Sequence, residues 1–378
     1  MKKITKNMFF ILTILLFTNL LIILTHAKYV NIANTMFLKK IGSPNMLIFI
    51  SPQYKDDQQI INSVKKYINT VKNQIGWDTL IIKIQKENNS FEKIDEIIEQ
   101  YYQNSTLKAC IMVGEDIDTA LSGDSNYLEE PSTIPWYTIG GKNSYEISKQ
   151  GIICKPYKID VCVSLLYPTH VLDYNTKKTQ IITVFEKFSN KHKEYLTNAI
   201  VFESSDINNK SKNLYKTIKN YTDLVYIEDP SQKEFYETFE KNYSMYFVHG
   251  HSNPLGTFIN GYEKIWFSVE NLIDVKTPFF GADGCYVSGW ISDEKDNNKL
   301  DFCVHDYWFG SKIFSSKNLQ VMVLGLLSQN GYPYSVSFIE NVIPDLSKGK
   351  TLAESMIGKT IVGNINIFGD PTFCFKNF

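Results

Sequence analysis

A cysteine and two histidines have the residue types and the spacing that nucleophilic catalysis requires. His249 and His251 stand in Val-His-Gly-His, directly after a predicted strand, and Cys285 ends Gly-Ala-Asp-Gly-Cys, directly after another. A thiol attacks a carbonyl carbon as its thiolate, and a neighbouring base or cation lowers the thiol pKa enough to form that thiolate. Backbone N–H groups must also stabilise the oxyanion, and we expect those of Gly250 and Cys285 to do so. The sequence therefore predicts a catalytic pair of Cys285 and His249, with His251 as the alternative histidine.

The elements that must position these residues are short apolar runs that alternate with stretches of helical spacing. Such runs are typical of parallel strands buried on both faces, and their alternation with helices favours right-handed β-α-β units. We therefore predict an α/β fold with a parallel sheet and helices on both faces. Ligands bind beyond the carboxyl ends of such strands, where the histidines and the cysteine are predicted to lie. The predicted strands cover residues 46–51, 80–84, 107–113, 159–166, 199–202, 224–227, 243–248, 278–280 and 319–324, and the predicted helices cover residues 64–71, 91–98, 176–193, 211–220, 231–240, 331–343 and 350–358.

The folded part of the chain is predicted to contain two α/β subdomains with a boundary near residue 195. The first covers residues 46–195, and the second, which carries the histidines and the cysteine, covers residues 196–378. A stretch rich in Ser, Gly, Asn and Pro at about 117–157 is predicted to be a long irregular connection within the first subdomain.

The N-terminus has the pattern of a targeting segment. Lys2, Lys3 and Lys6 precede a long apolar run, as they would in a signal peptide or in an uncleaved signal anchor. We predict that residues 1–27 are one of these two and form a hydrophobic helix, and that residues 28–45 are a linker. The protein would then act outside the cytoplasm, either secreted or attached to the membrane by this segment.

The charge of the chain argues against nucleic-acid binding, and its cysteine pattern argues against a structural zinc site. The chain carries 39 basic and 40 acidic residues and a net charge of −1, so it lacks the basic surface that nucleic-acid binding requires. Its six cysteines are widely spaced and include no Cys-x-x-Cys pair, which argues against a structural zinc site. Cys154 and Cys162 are the nearest pair in sequence for a single disulfide after export.

Five motifs in order along the chain resemble the gingipain family of clan CD cysteine peptidases, which have the caspase fold. They lie at residues 45–52, 110–115, 158–168, 246–250 and 368–372, the last reading Phe-Gly-Asp-Pro-Thr. The resemblance implies a caspase-like sandwich built on a parallel sheet, with residues 196–378 as the catalytic subdomain. It also implies an endopeptidase that hydrolyses protein or peptide substrates through a thioester and needs no organic cofactor. Gingipain-like domains bind calcium, but this sequence shows no clear carboxylate loop for it.

Several residues depart from the family pattern. Val248 replaces the glycine that usually precedes the histidine, Gly284 replaces an alanine before Cys285, and Gly289 comes one position late. These departures keep a second interpretation open, in which the chain is a catalytically degenerate, gingipain-like envelope or binding module.

Other polar residues near the pair have alternative interpretations. Asp283 is predicted either to line a pocket for a basic P1 side chain or to bond the backbone of its own turn. His249 and His251 would bind metal in a metal-dependent hydrolase, but the next positions lack the further ligands of such sites. His305 and Asp306 are predicted either to orient the catalytic imidazole or to cap a helix and face solvent.

Overall fold

The chain divides into two units, residues 1–43 and 44–378, and the second contains the folded core. The computed structural model describes residues 43–104, 106–117, 120–122, 130–132, 134–138, 145–148, 151–154, 157–168, 172–190, 194–205, 216, 218–239, 241–253, 256–259, 265–268, 275–284, 310–326, 341–361 and 365–376. The predicted targeting segment at residues 1–27 and most of the predicted linker at 28–45 lie outside these ranges. Within them, every helix is too short or too polar to cross a membrane.

The described part of the chain contains nineteen strands. They are β1 (Met46–Ile50), β2 (Thr79–Lys83), β3 (Ala109–Val113), β4 (Ala120–Ser122), β5 (Glu130–Ser132), β6 (Tyr145–Ser148), β7 (Gly151–Cys154), β8 (Tyr157–Lys158), β9 (Cys162–Leu166), β10 (Asn198–Glu203), β11 (Asp223–Glu228), β12 (Met245–His249), β13 (His251–Asn253), β14 (Gly256–Ile259), β15 (Ile265–Ser268), β16 (Phe279–Gly284), β17 (Val321–Leu326), β18 (Thr360–Ile361) and β19 (Ile365–Gly369). Ten of them form one sheet in the order β11-β10-β12-β16-β17-β19-β9-β3-β1-β2. The others form a small antiparallel sheet, β13-β14-β15, and three two-stranded pairs.

The large sheet consists of two parallel halves that run in opposite directions. Strands β11, β10, β12, β16 and β17 are parallel to one another, and so are β19, β9, β3, β1 and β2. The two halves meet where β17 pairs with β19 in antiparallel register, from Val321 opposite Gly369 to Gly325 opposite Ile365. As a result, the carboxyl ends of the two halves lie at opposite edges of the sheet.

The central strands are apolar because both faces of the sheet are covered. All five residues of β1, β3, β9 and β12 are buried, although successive side chains of a strand point to opposite faces. The helices include α1 (Gln58–Ile75), α2 (Phe91–Asn104), α3 (Ile134–Tyr137), α4 (Tyr174–Ser189), α5 (Gln232–Phe239), α6 (Lys312–Ser315) and α7 (Leu352–Met356), with a 3-10 turn at Lys86–Asn88. Residues 216, 218–219 and 341–346 are also helical. The predicted α/β class, with a largely parallel sheet, is thus confirmed.

Helices α1 and α4 pack against each other through an aromatic cluster. The Tyr67 ring lies 5.5 Å from that of Phe185 and 6.0 Å from that of Phe188, measured between ring centroids. Asp57 caps the start of α1, where its carboxylate accepts two backbone N–H bonds, and Gly76 caps the end with a φ of 74°, which suits glycine. The capping residues in the sequence therefore fix both ends of the helix that packs against α4.

The Gly-Asp-Pro-Thr motif closes the fold at the end of β19. The Asp370 Oδ1 atom accepts hydrogen bonds from the Tyr67 hydroxyl at 2.6 Å, and from the backbone N–H and the hydroxyl of Thr372 at 2.8 and 2.6 Å. Burial, and then the Asp370 charge, raise the pKa of Tyr67 well above its usual range, so its hydroxyl remains a donor. This motif therefore joins β19 to α1 and has a structural role.

Several features differ from the predictions. Strand β19 and its antiparallel pairing were not predicted, and the predicted irregular connection at 117–157 contains α3 and the strands β4 to β7. Cys162 is a free, buried thiol that lies 3.4 Å from the Met356 sulfur, so the nearest pair in sequence, Cys154 and Cys162, forms no disulfide. The division into subdomains at residue 195 stays a prediction, and one continuous sheet crosses it where β9 neighbours β19.

Candidate active site

The carboxyl ends of β10, β12 and β16 bring three polar positions side by side. Residue Glu203 is in register with His249, and His249 is in register with Asp283. Strand β16 ends at Gly284, and Cys285, the next residue in sequence, lies outside the described residues. The predicted histidine and the strand that leads to the predicted cysteine are therefore direct neighbours in the sheet.

His249 faces a buried carboxylate. Its Nδ1 atom lies 3.5 Å from Oε1 of Glu203, and the two side chains are only 4% and 3% exposed. The backbone N–H of Ser204 donates to the carbonyl of His249 at 3.0 Å, which fixes the end of β12 against β10. Within the described residues neither ring nitrogen of His249 makes a hydrogen bond of ordinary geometry. A carboxylate at this position stabilises an imidazolium and selects the orientation of the ring.

Glu203 was not among the predicted site residues. The signal in the sequence is a single charged residue that ends an otherwise apolar strand, Asn-Ala-Ile-Val-Phe-Glu. Charged residues are rarely buried without a partner, so a buried strand ending in glutamate indicates an interaction at that edge. The second oxygen of this carboxylate, Oε2, accepts a hydrogen bond from the hydroxyl of Tyr226 on β11.

The two candidate histidines occupy different environments. His249 ends β12 and is buried, whereas His251 is partly exposed and begins β13, where it pairs with Phe258 of β14. Gly250, which connects them, is buried in a bend. The structure thus brings His249, and not His251, against the carboxylate of β10.

The other predicted site residues are less completely described. The backbone of Asp283 lies beside His249, and its role in a P1 pocket stays a prediction. The oxyanion donors also stay a prediction, because Cys285 is outside the described residues. The same holds for His305 and Asp306.

An aromatic platform supports the strands beneath the site. The Tyr246 ring lies 5.6 Å from that of Phe202 on β10 and 6.5 Å from that of Phe280 on β16. Burial raises the pKa of Tyr246 well above its usual range, so the ring carries no charge at physiological pH. Interdigitated aromatic rings of this kind resist displacement and hold neighbouring strands in fixed register.

Metal ligands are not clustered at this edge among the residues that the structure describes. No group of three or more His, Cys, Asp or Glu side chains is arranged there, or elsewhere in the described ranges, to hold a metal ion. His249 contacts Glu203, which is a partner suited to an imidazolium as well as to a neutral ring.

A second buried polar cluster lies at the opposite edge of the sheet, beyond the carboxyl end of β3. The Lys177 Nζ atom lies 2.6 Å from Oε1 of Glu115, and the two side chains are 10% and 7% exposed. The Tyr54 hydroxyl contacts both oxygens of the same carboxylate at 3.2 and 3.1 Å. Burial, and then the Glu115 charge, raise the pKa of Tyr54 well above its usual range. This cluster joins α4 to β3 and is separate from the His249 site.

Comparison with known proteins identifies the architecture. No protein-family model matches the chain, and no curated protein sequence matches it. The crystal structure of the Arg-specific cysteine proteinase gingipain R (RgpB) superimposes with a TM-score of 0.56 at 14% identity, over 89% of this chain and 79% of that chain. This chain has the gingipain fold. The complex of the pro- and mature domains of RgpB from Porphyromonas gingivalis gives the same TM-score and identity, over 88% of this chain and 80% of that chain.

The gingipain fold confirms the architecture that the five motifs predicted. At 14% identity the likeness concerns the course of the backbone, while the chemistry of this chain depends on its own side chains. The function of this chain therefore depends on the arrangement of its own residues Glu203 and His249.

Proposed function

We propose that this protein is a cysteine peptidase in which Cys285 is the nucleophile and His249 the base. The observation that carries the proposal is the buried pair of His249 and Glu203 beside β16, the strand that Cys285 directly follows. A gingipain fold, shared with cysteine proteinases, adds support at the level of architecture. Glu203 is then the third member of the site, and it stabilises the imidazolium that forms when His249 takes the thiol proton.

The reaction follows from these roles. His249 accepts the proton of Cys285, and the thiolate forms a bond to the carbonyl carbon of the peptide. The backbone N–H groups of Gly250 and Cys285 hold the oxyanion until the C–N bond breaks, and the imidazolium gives its proton to the leaving amine. Water then attacks the thioester, its proton passes to His249, and the thiol of Cys285 is restored as the acid product leaves.

Two further proposals concern substrate and location. Asp283 lies beside the pair in the backbone register, which supports a role in binding a basic P1 side chain. The lysines and the apolar run of residues 1–27 support export, with the segment either cleaved or kept as an anchor. N-terminal sequencing and fractionation of the expressed protein distinguish a cleaved segment from an anchor.

A peptide-library cleavage assay tests the peptidase directly. Wild type is compared with Cys285→Ala, His249→Ala, His251→Ala and Glu203→Gln under identical conditions. We expect cleavage to fall to background in the first two variants and by ~10- to 100-fold in Glu203→Gln, because only the orientation and charge support of the imidazole is lost there. His251→Ala is expected to retain most of the activity. Full cleavage by Cys285→Ala would contradict the proposal.

A thiol-reactive probe separates an active peptidase from a degenerate binding module. Labelling of Cys285 that requires His249 supports the peptidase, since only a thiolate reacts rapidly. If Cys285 remains unlabelled from about pH 5 to 9, the site lacks an activated thiol and the binding-module interpretation is favoured. Metal analysis of the purified protein tests the third interpretation, and one equivalent of zinc would refute the cysteine mechanism.

A further inference from the structure

The outermost strand of the large sheet sends a tyrosine hydroxyl to the candidate catalytic carboxylate. Tyr226 is in register with Val201 of β10, and Glu203 lies two residues further along β10 on the same face. The long phenol side chain spans this distance, and its hydroxyl donates to Oε2 of Glu203. Strand β11 pairs with β10 over six residues, so the position of this hydroxyl is fixed by the sheet itself.

Each oxygen of the Glu203 carboxylate has its own partner. Oε1 lies 3.5 Å from Nδ1 of His249, and Oε2 accepts from Tyr226. Glu203 is only 2% exposed, so water does not readily replace either partner. Without the hydroxyl, Oε2 would be left unpaired in a buried position, and the carboxylate would relax by rotating. That rotation alters the contact that His249 receives.

We propose that Tyr226 is a positioning residue, whose hydroxyl holds the Glu203 carboxylate in the orientation that supports the His249 imidazolium. This inference rests on the proposed peptidase function, since His249 matters only if Cys285 is activated. The orientation of this carboxylate links the Tyr226 hydroxyl to the His249 ring, and through that ring to the activation of Cys285.

Two other acidic residues lie in the same row of the sheet as Glu203 and His249. Glu228 on β11 is in register with Glu203 and is exposed, and Asp283 on β16 is in register with His249. A carboxylate has no hydrogen to donate, so a residue of this type does not replace the Tyr226 hydroxyl as a donor to Oε2 of Glu203. Tyr226→Phe removes that donor and retains the ring.

The experiment measures the rate at which iodoacetamide alkylates Cys285 as a function of pH, together with kcat and KM for a peptide identified in the library. In Tyr226→Phe we expect the pH midpoint of alkylation to rise by about 0.5 to 1 unit. We also expect kcat to fall by ~10-fold, because one hydrogen bond to a charged group is lost, and KM to stay nearly unchanged. Tyr221→Phe is the matched control, because Tyr221 is 38% exposed and lies outside the site. We expect no shift in that variant.

Two outcomes would overturn the inference. One is an unchanged pH midpoint in Tyr226→Phe, and the other is an equal shift in the Tyr221→Phe control. The double variant Glu203→Gln, Tyr226→Phe should match Glu203→Gln alone, because the tyrosine acts through the glutamate. A merely structural role for Tyr226 would lower the melting temperature and add to the Glu203→Gln effect, without moving the midpoint.

Failure of the peptidase proposal gives a different result. In that case the midpoint of alkylation in wild type would be that of an ordinary thiol, about 8.5, and His249→Ala would not change it. If instead the midpoint depends on His249 and Tyr226 while no peptide is cleaved, the positioning role holds and the proposed reaction is wrong.

Discussion

Replacing Lys177 with methionine tests the polar cluster that joins α4 to the end of β3. The Lys177 ammonium lies 2.6 Å from Oε1 of Glu115, and the side chains are 10% and 7% exposed. Methionine is of similar length and apolar, so the packing of the stem is retained while the charge is removed. Among the described residues, the Tyr54 hydroxyl is then the side-chain donor that remains to Glu115.

The magnitude follows from the burial of both charges. Removing one partner of a buried ion pair costs ~3–5 kcal/mol, because the other charge is left without compensation. The Tyr54 hydroxyl remains bonded to this carboxylate, so Glu115 keeps part of its compensation and the loss is smaller by ~1 kcal/mol, the size of an average hydrogen bond. We therefore expect Lys177→Met to lower the free energy of unfolding by ~2–4 kcal/mol.

Urea unfolding followed by circular dichroism measures this difference. Lys93→Met is the matched control, because the pair of Lys93 and Glu96 lies at 2.8 Å with side chains 51% and 65% exposed and should cost less than ~0.5 kcal/mol. The double variant Lys177→Met, Glu115→Gln should recover much of the loss, since no unpaired charge remains. Equal losses in Lys177→Met and Lys93→Met would refute the reasoning from burial.

Three further predictions concern a glycine, a helix cap and a half-buried lysine. Gly369→Ala should lower the free energy of unfolding by about 3 kcal/mol or more, because φ is 116° and a Cβ atom would lie 2.1 Å from the Gln320 carbonyl oxygen. The control Gly76→Ala, where φ is 74° and the space around a Cβ atom is open, should lower it by about 1 kcal/mol in the same urea assay. Thr351→Ala removes a capping box and should cost about 1 kcal/mol by thermal unfolding. Burial lowers the pKa of Lys187 to about 7, whereas the same lysine in the unfolded chain keeps its proton to about pH 10. The unfolded state therefore binds more protons between pH 7 and 10, and the stability of wild type relative to Lys187→Met should rise over that range. A flat difference over that pH range would refute the last prediction.

The strands of the large sheet could be predicted because their sequences carry the signal of double burial. The run Met-Leu-Ile-Phe-Ile in β1 and the run Ala-Cys-Ile-Met-Val in β3 have no polar residue on either face. An exposed face would have required alternation, so a continuous apolar run of this length fits a covered parallel strand. The same signal located β12 and β16, and thereby placed His249 and the approach to Cys285 at the carboxyl edge.

The reversal of the sheet could not be predicted in this way. Strand β19 has the sequence Ile-Asn-Ile-Phe-Gly, in which Asn366 is fully buried, so its apolar pattern is weak. Hydrophobic pattern also carries no information on strand direction, which depends on distant contacts such as that of Val321 with Gly369. Glu203 was missed for a related reason, because the neighbour that gives it a role lies on β12, far away in sequence.

Two buried glutamates in this fold show why burial alone does not identify an active site. Glu115 is neutralised by Lys177 at 2.6 Å and bonded by Tyr54, so its charge is compensated within the cluster and it has a structural task. Glu203 faces His249 at 3.5 Å, and within the described residues the imidazole nitrogens make no hydrogen bond that would occupy them. An imidazole with available nitrogens, supported by a carboxylate and placed beside the strand that leads to a cysteine, retains the capacity to accept and donate a proton. This difference in remaining bonding capacity, and not the degree of burial, supports the proposal that the active site lies at the edge formed by β10, β12 and β16.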